Sequence, residues 1–320
     1  MLRPKQTLQT LNPPFNPVFS FFEKLCWKFV LTFVLFCFFL TQAPHVRAQG
    51  HFSKGGFELP PKAKADYYFS QGKFREALEI YKAVIEGGAE SGYIFRGMVK
   101  TWDATGNLKE AEQYLEGYRQ VHENSSAVWY ALGFLYYLKD DHPKADELFK
   151  RATELDHDNG LAWNNWAASL AKVRRYQDAV EKVQMAMRVQ PDESMFFINL
   201  NKIYNDMGEG QRFEDEFNEL VGKGDPVAWG YGKTLARSIR QKSFGHYSKG
   251  NLAETIAGFE KILEINKQIE DVKGQVPALF SLGLLYEENG DARKAQEFFR
   301  KVLSINPDHI QAREKVKPLN

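Results

Sequence analysis

A small residue recurs every 34 positions through the first half of this chain. Ala77, Ala111, Ala145 and Ala179 keep that spacing without a slip, and a fixed period in this range specifies stacked repeats rather than a single core. Around two of these alanines the pattern is fullest. Trp129, Leu132, Gly133, Tyr136, Ala145, Phe149 and Ala152 form one copy, and Trp163, Trp166, Ala167, Leu170, Ala179, Val183 and Ala186, followed by Pro191, form the next. Trp129, Leu132 and Tyr136 stand at i, i+3 and i+7, one face of a helix. Ala145, Phe149 and Ala152 repeat that spacing on a second helix. Small residues at 133 and 145 let the two helices approach, and neither can bury its face without stacking on a neighbour.

The succession W-x2-L-G-x2-Y, Ala, aromatic, Ala, Pro resembles the tetratricopeptide repeat. The resemblance implies an all-α fold, a right-handed solenoid of about seven antiparallel helix pairs with a concave groove and a C-terminal capping helix. It also implies protein or peptide binding without catalysis.

Five repeats fill residues 58–227. The first carries Ala65, Tyr68, Gly72, Ala77, Tyr81 and Val84, and the second Trp102, Gly106, Ala111, Leu115 and Tyr118. The fifth is degenerate: Phe213 replaces the small residue, Asn201 replaces Gly or Ala, and Gly222, Gly224 and Pro226 follow. A kink or a wider helix spacing is expected there. A connector at 228–235 leads to repeats six and seven at 236–309. The first helix of repeat six is weak, with a possible start near Ala228. Repeat seven is strong, with Leu279, Leu282, Gly283, Tyr286, Gly290, Ala295, Phe299, Val302 and Pro307. A six-residue insertion between them is expected to lengthen the helix before it. Residues 310–320 read as a polar end cap.

The N-terminus has another character. Lys24 and Lys28 precede an apolar run from Phe29 to Leu40, broken only by Thr32, and Val46 and Ala48 suit a cut before Gln49. Residues 1–48 therefore read as a secretory signal peptide. The run is short against the ~20 residues that span a bilayer. The rival is an uncleaved signal anchor using residues 27–40. Residues 49–57 read as a linker. Localisation is accordingly expected to be exported, periplasmic or secreted, or else membrane-anchored, with the membrane touched only through this segment.

Charge narrows the partner class. The net charge is +1, and removing residues 1–48 takes away five basic and one acidic residue, leaving −3. That balance carries no footprint for nucleic acid. Cys26 and Cys37 are the only cysteines, so a processed chain has neither disulfides nor thiol chemistry.

Three features invite a chemical reading. Gly232, Lys233 and Thr234 spell the end of a phosphate loop, but Val227 stands where its first glycine belongs; an enzyme with a phosphate site near Lys233 is the remote alternative. Asp140, Asp141 and His142, with Asp156, His157 and Asp158, could suggest a metal. A helix of about 14 residues lies between the clusters and holds them roughly 20 Å apart, so they read as caps and turns. Neither a cofactor nor a metal is expected, and no catalytic constellation is recognisable.

What remains is the groove that the resemblance implies, lined by fixed positions of each first helix. These are Tyr93, Arg96 and Lys100 in repeat two; Tyr130, Phe134 and Tyr137 in repeat three; Asn164 and Asn165 in repeat four; and Asn199, Lys202 and Asn205 in repeat five. Asn165 and Asn199 occupy equivalent positions. In some family members asparagines there hydrogen-bond an extended peptide backbone, for which an amide offers both donor and acceptor. The carboxylate-binding set of chaperone-binding relatives is not matched, because Asp66 stands where asparagine is required. Arg96 and Lys100 could still attract an acidic partner.

Overall fold

The structure, a computed structural model, describes residues 59–316. These residues form fifteen α-helices and no strand. Seven antiparallel pairs follow one another: α1 (Pro61–Ser70) with α2 (Phe74–Glu86), α3 (Gly92–Ala104) with α4 (Leu108–Val121), α5 (Ser126–Leu138) with α6 (His142–Leu155), α7 (Gly160–Lys172) with α8 (Tyr176–Val189), α9 (Ser194–Met207) with α10 (Arg212–Lys223), α11 (Ala228–Ser248) with α12 (Leu252–Gln268), and α13 (Val272–Glu288) with α14 (Ala292–Ile305). The short α15 (Ile310–Lys315) closes the array. The signal or anchor segment, the linker and the two cysteines lie outside the described residues.

Each pair turns on a residue with left-handed backbone. Gly72, Gly106, Asp140, Arg174 and Gly208 hold φ of 72°, 72°, 58°, 61° and 81°, again 34 residues apart. Glycine adopts this conformation freely; aspartate tolerates it, and arginine is strained by it. Asp141 then caps α6 by accepting from the Lys144 N–H at 3.2 Å, and Asn159 caps α7 by accepting from the Ala162 N–H at 3.0 Å. Asp156 accepts from the Asp158 N–H at 3.0 Å. The acidic residues between helices are thus used by the chain itself.

The spacing of each pair follows the residue at one first-helix position. Ala65, Gly133, Ala167, Ser243 and Gly283 occupy it in the five closely packed pairs. A Cβ on Gly133 would lie 2.7 Å from Cδ1 of Phe149, and one on Gly283 would lie 2.5 Å from Cε1 of Phe299. Val99 and Asn201 occupy it in repeats two and five, whose helices meet over far less of their length. In repeat five the opened space is filled from the next repeat: the Tyr231 ring lies 4.5 Å from that of Phe213. Glu216 accepts from both the Tyr204 and Tyr231 hydroxyls, at 2.7 and 2.9 Å.

Residues 228–235, expected as a connector, are instead about two turns of the 21-residue α11. The six-residue insertion lengthens both neighbours rather than only the preceding helix: α12 runs to Gln268 and α13 starts at Val272. The break falls at Gly224, the left-handed cap of α10 with φ 65°.

Successive first helices pack on one another from α1 through α11, whereas no two successive second helices pack comparably. The array therefore bends toward its first helices, which form the inner layer. No described helix is long and apolar enough to cross a membrane.

Candidate functional site

The inner layer of repeats two to five is closed along one edge, where the first helices begin. The first residues of α3, α5, α7 and α9 are all small: Gly92, Ser126, Gly160 and Ser194. A Cβ on Gly92 would meet Leu161 Cδ1 at 3.2 Å, two repeats away, and one on Gly160 would meet Phe196 Cε2 at 3.0 Å. Small residues here let the helix starts converge. The convergence is tied by a hydrogen bond across three repeats, from the Tyr93 hydroxyl to Glu193 Oε2 at 2.8 Å. Glu193 also caps α9 by accepting from the Met195 N–H at 3.3 Å. Burial, then the Glu193 hydrogen bond, push the Tyr93 phenol up to about 12.

Several residues expected to face a ligand are consumed by this closure. Tyr130 is fully buried, and Phe134, Asn164 and Asn165 are 4, 3 and 6% exposed. Asn165 Nδ2 donates to the Tyr130 hydroxyl at 2.8 Å, and Asn164 Nδ2 donates to Asn165 Oδ1 at 3.3 Å. Asn199 Nδ2 donates to Asn164 Oδ1 at 3.1 Å and to its carbonyl oxygen at 3.2 Å. Asn165 and Asn199, at equivalent positions, are thus linked only through Asn164; Asn165 is buried against a tyrosine, whereas Asn199 stays half-buried. Satisfying Asn164 and Asn165 internally is what allows them to be buried.

Toward the other ends of the first helices the inner layer remains accessible. Lys100, Lys202 and Asn205 are exposed, and Arg96, Tyr137 and Asn199 are half-buried; Tyr93, also half-buried, belongs to the closed edge at the start of α3. Lys202 is paired with Asp206, and Asn205 Nδ2 donates to the Asn201 carbonyl at 2.6 Å. The Tyr130, Phe134 and Tyr137 rings form a run of stacked pairs, each 6.3 Å between centroids. The Arg96 guanidinium lies over Phe134 at 5.5 Å. Burial, and next the charge of Arg96, lower the Lys100 pKa. The accessible part of the site thus combines Tyr137, at the end of a buried ring run, with two neighbouring cations and an amide.

The sequence reading missed Glu193 and the small helix-starting residues. The signal was present as a second 34-residue series, Gly92, Ser126, Gly160 and Ser194, but only a helix register fixed to the residue shows that these start their helices. The other chemical readings resolve locally. Gly232, Lys233 and Thr234 lie inside α11, their backbone committed to the helix, and Lys233 Nζ pairs with Asp271 at 2.5 Å. They form no phosphate loop. Among the described residues no group of three potential metal ligands comes together. At the first repeat, Lys62 pairs with Asp66 at 2.6 Å, which also accepts from the Tyr81 hydroxyl.

The chain is similar in part to known proteins. Models described as tetratricopeptide repeat match residues 126–159 and 276–309, and residues 68–133. The chain is 24% identical over 177 residues to the TPR repeat-containing protein MJ1428 of Methanocaldococcus jannaschii, covering 54% of this chain and 28% of that protein. It is 28% identical over 85 residues to the peroxisomal targeting signal receptor of Saccharomyces cerevisiae, covering 27% of this chain and 14% of that protein. The chain thus spans less than a third of either relative. Among solved structures, the C-terminal part of a TPR repeat-containing protein from Cytophaga hutchinsonii aligns over 80% of this chain and 99% of that one, at 16% identity and a TM-score of 0.38. Helix pairs stand at each of the segments that the tetratricopeptide-repeat models match, residues 68–133, 126–159 and 276–309.

Proposed function

We propose that this chain is a non-catalytic scaffold that binds an extended polypeptide segment in the open part of its inner layer. The observation that carries this reading is the division of that layer. Its starting edge is tied by Tyr93 and Glu193, while Lys100 on α3, Tyr137 on α5, and Lys202 and Asn205 on α9 remain accessible. An extended segment crossing those helices would meet side chains of repeats two, three and five, gaining hydrogen bonds from amide and ammonium groups and apolar contact from the tyrosine. Export through residues 1–48, with the cell envelope as the working compartment, is part of the same proposal, and retention of that segment as an anchor is its alternative. N-terminal sequencing separates the two: a mature chain starting at Gln49 supports export, and an intact N-terminus supports the anchor.

The groove is tested by affinity capture from envelope extract with the full chain and with a Tyr137→Ala/Lys202→Ala/Asn205→Ala variant. These side chains are at least partly accessible, so the variant is expected to keep its melting temperature while losing the captured partner. Equal recovery by a folded variant would remove the groove.

A further inference from the structure

The end of the array is fastened by a histidine. His309 precedes α15, and its Nδ1 accepts the Ala312 N–H at 3.2 Å, capping that helix. Acceptance requires a lone pair on Nδ1, so the capping imidazole is neutral, with its proton on Nε2. His309 is 8% exposed, and its ring lies 4.8 Å from that of the buried Phe280 on α13. Burial, opposed in part by a hydrogen bond to its own backbone, lowers the pKa of the imidazole. The run Pro277–Tyr286 that surrounds Phe280 on α13 carries no charged residue. The charged groups of the neighbouring elements are engaged elsewhere: Asp308 with Arg313 at 2.8 Å, Glu287 of α13 with Lys315 at 2.6 Å, and Glu297 of α14 with Lys301 at 2.6 Å. Glu288 of α13 accepts from the Tyr247 hydroxyl at 2.9 Å, and Lys294 of α14 lies 4.0 Å from Asp291. Lys273 of α13, Arg293 and Arg300 of α14 and Glu314 of α15 are exposed.

We propose that His309 makes α15 a pH-released latch on the last helix pair: the neutral imidazole caps the helix and covers Phe280, and the imidazolium does neither. A protonated ring carries N–H groups on both nitrogens, so Nδ1 would set a donor against the Ala312 N–H. It would also hold a charge against an aromatic ring with no carboxylate beside it, which is costly away from water. Little else fastens the helix. Ala312 is its buried residue, Gln296 Nε2 donates to the Lys315 carbonyl at 2.9 Å, and the Lys315–Glu287 and Arg313–Asp308 pairs are exposed ones of small worth. Release would uncover Phe280 and the part of α14 on which α15 packs. The sign follows from linkage. The docked state takes up this proton less readily than the released state, whose pKa is about 6.5, so docking is complete above that pH and weakens as pH falls below it.

The test is hydrogen exchange of the full chain at about pH 7.5 and about pH 5, corrected for intrinsic rates and read on peptides from α15 and from α5. Opening of α15 in the wild type is expected to rise by up to about thirtyfold at the lower pH, the limit set by an unfolded pKa of about 6.5, while α5 changes far less. In His309→Asn the cap is kept by a side chain that does not titrate in this range, so α15 should exchange alike at both pH values. In His309→Ala it should exchange fast at both. Histidine-labelled NMR of the unsubstituted chain gives a second reading: His309 should titrate at lower pH than the exposed His157. Exchange of α15 that does not depend on pH in the wild type, a pH dependence that survives His309→Asn, a loosening of α5 as large as that of α15, or a His309 midpoint at or above that of His157 would overturn the latch.

Discussion

Tyr93 and Glu193 stand 100 residues apart in sequence and meet through a 2.8 Å hydrogen bond. The contact joins the start of the second repeat's first helix to the cap of the fifth repeat's. In an array where each repeat touches chiefly its neighbours, it is a long-range tie, and it decides which edge of the inner layer is shut.

Removing that tie should loosen repeats two to five together. Glu193→Ala removes both the Tyr93 acceptor and the α9 cap, and should lower stability by about 1–2 kcal/mol. Hydrogen exchange of the α3 and α9 starts is the measurement. Faster exchange at both is expected, and a change confined to α9 would mean that the Tyr93 contact contributes nothing.

The glycines divide by what lies beside them. Gly133→Ala drives a methyl into the buried Phe149 ring, 2.7 Å away, and should destabilise by about 1–3 kcal/mol despite the better helix propensity of alanine. Gly117 lies in α4 with nothing within 4 Å, so Gly117→Ala should stabilise by about 0.5–1 kcal/mol. Chemical denaturation of the two variants gives shifts of opposite sign if the register is right.

Arg174 holds the left-handed turn position at φ 61° that glycine fills in repeats one, two and five. Arg174→Gly should therefore stabilise by about 0.5–1 kcal/mol, the relief of backbone strain being partly offset by a more flexible unfolded chain. A lower melting temperature would show that the arginine side chain outweighs its backbone strain.

Alkaline pH should act through the tyrosines. Carboxylate hydrogen bonds and burial push Tyr136 and Tyr286 up to about 12, as burial and Glu193 do Tyr93. A raised pKa means that the folded state holds its proton when the unfolded state, at about 10, has released it. This contribution to stability is complete below pH 10, falls as pH rises from there, and is lost by about pH 12. Denaturation at stepped pH, alongside tyrosinate absorbance, checks this. Glu112→Gln, which neutralises the acceptor 2.5 Å from the Tyr136 hydroxyl, should make that tyrosine ionise at lower pH.

Much of the fold was legible because its determinants are local. Ala77, Ala111, Ala145 and Ala179 are all fully buried at helix junctions, and their period could be read without coordinates. The degenerate fifth repeat was legible for the same reason: Phe213 and Asn201 are too large for a close pair. The accessible groove was less legible. Asn164, Asn165 and Tyr130 occupy positions that face inward, but inward means solvent only where the array is open. Their burial depends on how far the helix starts converge, a property of four repeats together that no single 34-residue window contains. Burial also separates Asn165 from Asn205. Asn165→Ala leaves the buried Tyr130 hydroxyl unpaired and should destabilise by about 1–3 kcal/mol, whereas Asn205→Ala should leave stability unchanged.

The most direct test of the account is a photo-crosslinking scan of the full chain in the cells that make it. Benzoylphenylalanine placed at Tyr137 or Lys202 on the inner layer is compared with the same group at Lys150 or Gln177, exposed on the second helices α6 and α8. The account predicts one shared polypeptide adduct from both inner positions and none from the outer pair, with the inner adducts lost in Tyr137→Ala/Lys202→Ala/Asn205→Ala chains that retain a single inner crosslinker. Adducts from the outer positions alone, or of equal yield from both layers, would contradict it.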